Sequence, residues 1–494
     1  MKILFVSSEG LPYSKTGGLA DVVEALPKAL AAAGHEVVVL LPRYRGNKTN
    51  GVALPSLTIP MGTALRFPSI MEGDDIAGVR YFFVDDVGYF DRDHLYGDKT
   101  GDYKDNAERF AEFSRAAIEF VKRVWTPDVI HCHDWQAALV PVILRTQHAD
   151  DPTVRALPVV LTIHNLAYQG LFPYTELREI GLPDTLFTMD RLEFYGKVDL
   201  LKGGLIYSDY LTTVSRRYAK EIQTPEYGAG LEGVIRGRGE RLVGILNGVD
   251  YSIWSPEVDT FISKQYSAQN LEGKKACKRA LLEGFGLSSD NLERPLIGII
   301  SRFVDQKGFD LIAEIGAEMM QEDLTLVALG TGLPEYEKLF KDLAEKYPSR
   351  LGLKIGYDNA LAHKIEAGSD MFLMPSAYEP CGLNQIYSLR YGTVPVVRAT
   401  GGLDDTIQDF ELKKGDAKTV QGTGFKFEEY DGAALLKCLR TALKTYRDRT
   451  AWRKLQANGM GKDFSWKASA AAYVTVYEAA KRARIPAVAR TSKV

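Results

Sequence analysis

Residues 2–41 read KILFVSSEGLPYSKTGGLADVVEALPKALAAAGHEVVVLL. Lys2–Val6 and Glu36–Leu41 are short apolar runs of strand type. Between them, Leu19–Ala33 has helical spacing, with Gly34 as its stop. Short apolar runs separated by helices predict a parallel sheet covered on both faces. Between the first strand and the helix stands Lys15-Thr16-Gly17-Gly18-Leu19-Ala20-Asp21. A basic residue and two glycines at a strand-to-helix turn suit a phosphate. The glycines let backbone come close, free helix N–H groups point outward, and the helix dipole favours negative charge. A flexible connector is the competing reading, and the motif alone leaves both open.

The same alternation continues along the chain. Further strands are expected at Tyr81–Val84, Val129–His133, Val159–Ile163 and Tyr210–Val214. Residues 42–105, rich in Gly, Pro and Asp, fit poorly and read as an inserted loop or hairpin region over a cleft. The pattern restarts near Leu242, with strands expected at Leu242–Leu246, Leu296–Ile300, Thr325–Leu329, Gly352–Ile355, Met371–Met374 and Val394–Val397. Turn residues at Asn247-Gly248-Val249-Asp250 mark a boundary. The expected domains are 1–245 and 246–472, with a helix from about 473–494 packing back on the first; Ile485–Val494 reads as frayed.

A chain of 494 residues suggests two or three domains. A net charge of −3 gives no general attraction to nucleic acid or anionic membrane, so any phosphate chemistry rests on locally placed Lys and Arg. Cys132, Cys277, Cys381 and Cys438 form no C-x-x-C pair, which argues against a zinc site or disulfide framework and fits a reducing compartment. No apolar stretch reaches membrane-spanning length. Met1 runs straight into the first strand without a charged leader, so a cytoplasmic location is expected, or a plastid stroma for a mature plant or algal form.

Ligands of such sheets sit beyond the carboxyl ends of the strands. Ser301-Arg302 and Lys307-Gly308 follow one strand, and two cations there suit a diphosphate; surface cations are the bland alternative. Glu379 stands in PSAYEPCGL (375–383) after another strand, able to bind sugar hydroxyls or to act as an ordinary helix N-terminal charge. Gly382 and Leu383 open the next helix, and Cys381 reads as a small packed residue. Thr400-Gly401-Gly402 makes a further glycine turn. In the first half, strand alternation puts His131 and His133 on one face, Asp134 follows, and His164 ends the next strand. No third or fourth zinc ligand accompanies the histidines. His164 reads equally as an acid, base or sugar ligand and as a satisfied buried histidine.

Together, Lys15–Asp21, TIHNLAYQG (162–170), SRFVDQKGFD (301–310) and EPCGLNQIYSLRYGTVPVVRATGGLDDT (379–406) resemble bacterial glycogen synthases and plant starch synthases, from Lys2 to about Tyr477. The resemblance implies a GT-B fold of two Rossmann-like, doubly wound parallel-sheet domains facing across a cleft. It implies retaining transfer of glucose from ADP-glucose to the non-reducing end of an α-1,4-glucan, without metal or other cofactor. Lys15, Gly17 and Gly18 would approach the donor phosphates, and Arg302 and Lys307 would hold the diphosphate. Cys381, Gly382, Leu383, Thr400, Gly401 and Gly402 would bind phosphate and glucose. Glu379 would bind glucose hydroxyls, with Asn247 and His164 on the opposite side. Asp21 and Asp134 would line the catalytic and acceptor region, and Tyr357 would stack on adenine. The oligomeric state, a homo-oligomer included, stays open. A UDP-glucose-dependent transferase of the same fold is one rival, and a non-catalytic glucan-binding or initiation scaffold is the other. A nicotinamide dehydrogenase is the weaker reading, because the first strand of this chain is not followed by G-x-G-x-x-G.

Overall fold

The computed structural model describes residues 1–413 and 419–484; the expected frayed tail lies outside them. The chain divides into two compact units. The first comprises Met1–Val214, Ala219–Gly248 and Trp466–Val494; the second comprises Ser215–Tyr218 and Val249–Ser465. The expected boundary after residue 245 thus moves to Gly248, and the terminal segment of the first unit starts at Trp466 rather than about 473.

The first unit holds a nine-stranded sheet built from β1 (Lys2–Val6), β2 (Glu36–Pro42), β3 (Gly51–Leu54), β4 (Ser69–Ile76), β5 (Val79–Asp85), β6 (Val129–His133), β7 (Val159–Ile163), β8 (Tyr210–Thr213) and β9 (Leu242–Gly244). Its order is β9-β8-β7-β6-β1-β2-β5-β4-β3. Strands β6 and β7 are buried at every residue, as expected for a parallel sheet with both faces covered. The chain departs from β1 in one direction through β2 and later resumes on its other side at β6, so the order reverses between β1 and β6. That reversal is where open α/β sheets bind ligands.

Two expectations are corrected. Leu242–Gly244 is not the start of a second sheet; it pairs parallel to β8 in register Leu211↔Leu242. Residues 42–105 do form a hairpin, one of the two expected forms, but it is part of the sheet: β4 and β3 add antiparallel beyond β5, with a bulge between Glu72 and Asp75. Their partly exposed, polar sequences hide the strand pattern.

The helix Gly18–Ala32 buries Leu19, Val22, Val23, Leu26 and Leu30 and ends where Gly34 takes φ +88°. The terminal helix Trp466–Arg484 completes the same core with Trp466, Tyr473, Val476 and Tyr477.

The second unit has a parallel six-stranded sheet from β10 (Leu296–Phe303), β11 (Thr325–Gly332), β12 (Leu351–Ile355), β13 (Met371–Met374), β14 (Val394–Arg398) and β15 (Phe425–Phe427). The order β12-β11-β10-β13-β14-β15 reverses between β10 and β13. Ile297, Ile299, Leu326, Leu373 and Val396 pack with Phe303, Phe309 and Phe340 in its core. Among the described residues, no helix is long and apolar enough to cross a membrane.

Candidate functional site

In the first unit, β1 runs through Ser7 and Ser8 to Glu9, which is buried. The Glu9 carboxylate accepts the Thr16 backbone N–H and hydroxyl, both at 2.5 Å, the Gly17 N–H at 3.3 Å and the Tyr96 hydroxyl at 2.6 Å. These bonds fix the loop that carries Lys15. Glu9 was not singled out from the sequence; its signal was an acid just past a buried strand end. Lys15 Nζ lies 2.7 Å from Asp21 Oδ1. Burial raises the Asp21 carboxyl, and Lys15 opposes that rise.

Gly17 is extended, with φ −153°, and a Cβ at Gly17 or Gly18 would meet nothing within 4 Å. Neither packing nor positive φ demands glycine at these positions. They leave open room in front of a helix N-terminus.

Beside this loop in the sheet, β6 ends at His133 and Asp134. Asp134 adopts φ +54°, a left-handed conformation that is uncommon for a non-glycine residue and concentrates at functional sites. Its Oδ1 accepts the His164 backbone N–H at 2.7 Å, so the ends of β6 and β7 are tied together. Burial is the main cause that pushes the Asp134 carboxyl up to about 7. His133 Nδ1 lies 3.0 Å from His164 Nε2. His131 is 2.6 Å from Thr162 Oγ1 and 2.8 Å from the Tyr477 hydroxyl of the terminal helix. Burial lowers His131 and His133 well below the usual histidine range and brings His164 down to about 3, so all three are neutral imidazoles near pH 7. Asn247 is buried, and its Oδ1 has no partner among the described residues.

In the second unit, the ends of β10 and β13, where the strand order reverses, carry Arg302, Lys307 and Glu379. Lys307 Nζ is 2.6 Å from Glu379 Oε2, which also accepts the Ser376 hydroxyl at 3.2 Å. Glu379 is only 5% exposed. Two further bonds join the strand ends: Ala377 N–H to Gln306 O at 2.9 Å, and Asn384 Nδ2 to Ile300 O at 2.9 Å. Gly308 permits this approach. It has φ +73°, and a Cβ there would sit 2.1 Å from Pro375 O. Arg302 ends the same strand exposed, without an ion pair among the described residues. An exposed guanidinium without an ion pair at the end of this strand is suited to take an anion.

The turn at Thr400 packs on the Glu379 loop. A Cβ at Gly401 would lie 1.9 Å from Glu379 O, and one at Gly402 would lie 1.9 Å from Cys381 O. Gly402 N–H already bonds Glu379 O at 3.0 Å. In this structure the Gly402 N–H therefore holds the loop. Gly382, at φ +68°, and Leu383 lead into the helix Asn384–Arg390, and Cys381 is buried. Tyr357, beyond β12, is 80% exposed and presents an open ring. Among the described residues, no group of three or more His, Cys, Asp and Glu is placed to hold a metal ion.

The family model "Starch synthase catalytic domain" matches residues 2–237, and "Glycosyl transferases group 1" matches residues 288–458. The chain is 57% identical to the glycogen synthase of Koribacter versatilis, over 98% of this chain and 99% of the relative. It is 47% identical to that of an Anaeromyxobacter species, over 97% and 99%. Among solved structures, the catalytic domain of starch synthase IV from Arabidopsis thaliana, bound to ADP and acarbose, matches with a TM-score of 0.87 at 34% identity, over 97% of this chain and 99% of that one. Sucrose-phosphate synthase from Thermosynechococcus elongatus, with a TM-score of 0.59 and 18% identity over 97% of this chain and 99% of that one, shares the fold.

Proposed function

Because the chain belongs to the family of glycogen and starch synthases, on the two-domain GT-B fold, we propose that it transfers glucose from ADP-glucose to the non-reducing end of an α-1,4-glucan with retention at the anomeric carbon. The observation that carries this reading is the convergence of Arg302, Lys307 and Glu379 on the reversal point of the second sheet.

Breaking the sugar–phosphate bond leaves positive charge on the anomeric carbon and negative charge on ADP. Arg302 and Lys307 stabilise the negative charge. Glu379 holds Lys307 in place before the donor arrives and accepts glucose hydroxyls afterwards. Lys15, with the backbone at Gly17 and Gly18, contacts the donor phosphates. Gly382, Leu383, Thr400 and Gly401 support phosphate and glucose, and Cys381 packs beneath them. Asn247 and His164 contact glucose hydroxyls, Asp21 and Asp134 line the acceptor region, and Tyr357 stacks on adenine. The acceptor 4-hydroxyl attacks from the face that the phosphate leaves, and that phosphate takes the hydroxyl proton. The proposed chemistry routes no step through a metal or cofactor, and a cytoplasmic location belongs to the same proposal.

The test supplies ADP-glucose or UDP-glucose with glycogen and measures nucleotide release, with proton NMR of the lengthened chains. Release of ADP with new α-linkages is expected. Turnover with UDP-glucose alone transfers the donor assignment to UDP-glucose. Tight glucan binding without turnover of either donor identifies a scaffold.

A further inference from the structure

The histidine row at the ends of β6 and β7 has a hydrogen-bond imbalance. His133 Nδ1 is bonded to His164 Nε2 at 3.0 Å, while His133 Nε2 is buried with no partner among the described residues. A neutral imidazole carries one N–H. If that proton were on Nε2, a buried donor would be orphaned, which is rarer in folded proteins than a buried acceptor left bare. The proton therefore belongs on Nδ1, where it is donated to His164. Rotation of the ring is resisted by its neighbours: Phe5 stacks on it at 5.4 Å between centroids, and the His131 ring lies at 4.1 Å. His131 is itself held at both nitrogens, by Thr162 and Tyr477.

We propose that His133 is a positioning residue that fixes the tautomer of His164, so that His164 presents an Nδ1–H donor to a sugar hydroxyl oxygen. His164 Nε2 accepts from His133 and so cannot carry the ring proton. Nδ1 carries it and makes no hydrogen bond among the described residues, on a side chain that is partly exposed. The His164 backbone is anchored separately by Asp134, so the tautomer is set through the ring and the loop position through the main chain. The role of His164 toward glucose rests on the function proposed above; the tautomer does not.

The experiment is long-range 15N–1H NMR on the full-length chain labelled at histidine. The chain has seven histidines, so the His164 signals are assignable from His164→Asn. A protonated Nδ1 and bare Nε2 at His164 are expected. The opposite tautomer overturns the proposal. Two variants then test the consequence. His133→Asn places an amide N–H where Nδ1 stood and should keep the tautomer and kcat within about threefold. His133→Phe keeps the stack but loses the donor; it should lower kcat about tenfold with a smaller change in donor KM. If His133→Phe fails to fold, as judged by circular dichroism, His133→Leu replaces it as the variant without a donor: an unchanged Nδ1–H tautomer at His164 there rejects the positioning role. Full activity in a folded His133→Phe also rejects it. A wild type that shows the expected tautomer but turns over neither nucleotide sugar rejects the functional reading and leaves the tautomer standing.

Discussion

Lys307 and Arg302 are both cations at one strand end, but they differ in what their loss leaves behind. Removing Lys307 strands the buried Glu379 carboxylate, whose other partner is the Ser376 hydroxyl. Lys307→Ala is expected to lower stability by about 2 kcal/mol and turnover on the order of 100-fold. Arg302 is exposed and unpaired among the described residues, so Arg302→Ala should hold stability within about 0.5 kcal/mol while turnover falls comparably. Thermal melts beside steady-state kinetics separate the two. Equal stability losses would mean that Arg302 has a structural partner in the folded chain. The residue types at these strand ends were legible beforehand, because basic and acidic side chains just past a buried apolar run are a local signal. Glu9 was not, since its meaning lies in the four hydrogen bonds it accepts from Thr16, Gly17 and Tyr96.

Among the elements, the glycine turns look alike in sequence and differ in cause. Gly308 is required by its own φ of +73° and by Pro375 O. Gly308→Ala should cost about 2–4 kcal/mol, read from denaturant unfolding, because it combines left-handed strain with a backbone clash. Gly18 has open space where a Cβ would go. Gly18→Ala should leave stability unchanged or raise it by up to about 1 kcal/mol, as alanine is the better helix residue, while lowering turnover with ADP-glucose. Full activity in Gly18→Ala would remove the phosphate reading of that loop. The inner strands were readable for the same kind of reason: β6 and β7 are buried at every residue, so they open on the apolar pairs Val129-Ile130 and Val159-Val160 without a polar-out alternation. Strands β3 and β4 lie toward the sheet edge, carry polar residues and contain a bulge, so their alternation was lost.

For the molecule as a whole, the last described helix belongs to the first unit although 217 residues of the second, Val249–Ser465, precede it in the chain. It supplies Trp466, Tyr473 and Tyr477 to that core, and Ser469 Oγ donates to Leu246 O at 2.6 Å. A chain ending at Ser465 should therefore lose the cooperative unfolding of the first unit, with early proteolytic cleavage within residues 1–248. Unchanged protection there would show the helix to be dispensable. The linear chain carried the α/β alternation, the helix stops and the chemistry at strand ends, because periodicity and turn preference act between near neighbours. It did not carry the partners. Lys307 meets Glu379 across 72 residues, and Tyr477 meets His131 across 346. Leu242–Gly244 resembled the start of a new sheet and instead closed the edge of the first. Such pairings depend on how strands order themselves in the folded sheet, where burial and backbone hydrogen bonding are satisfied together, and no local stretch encodes that order.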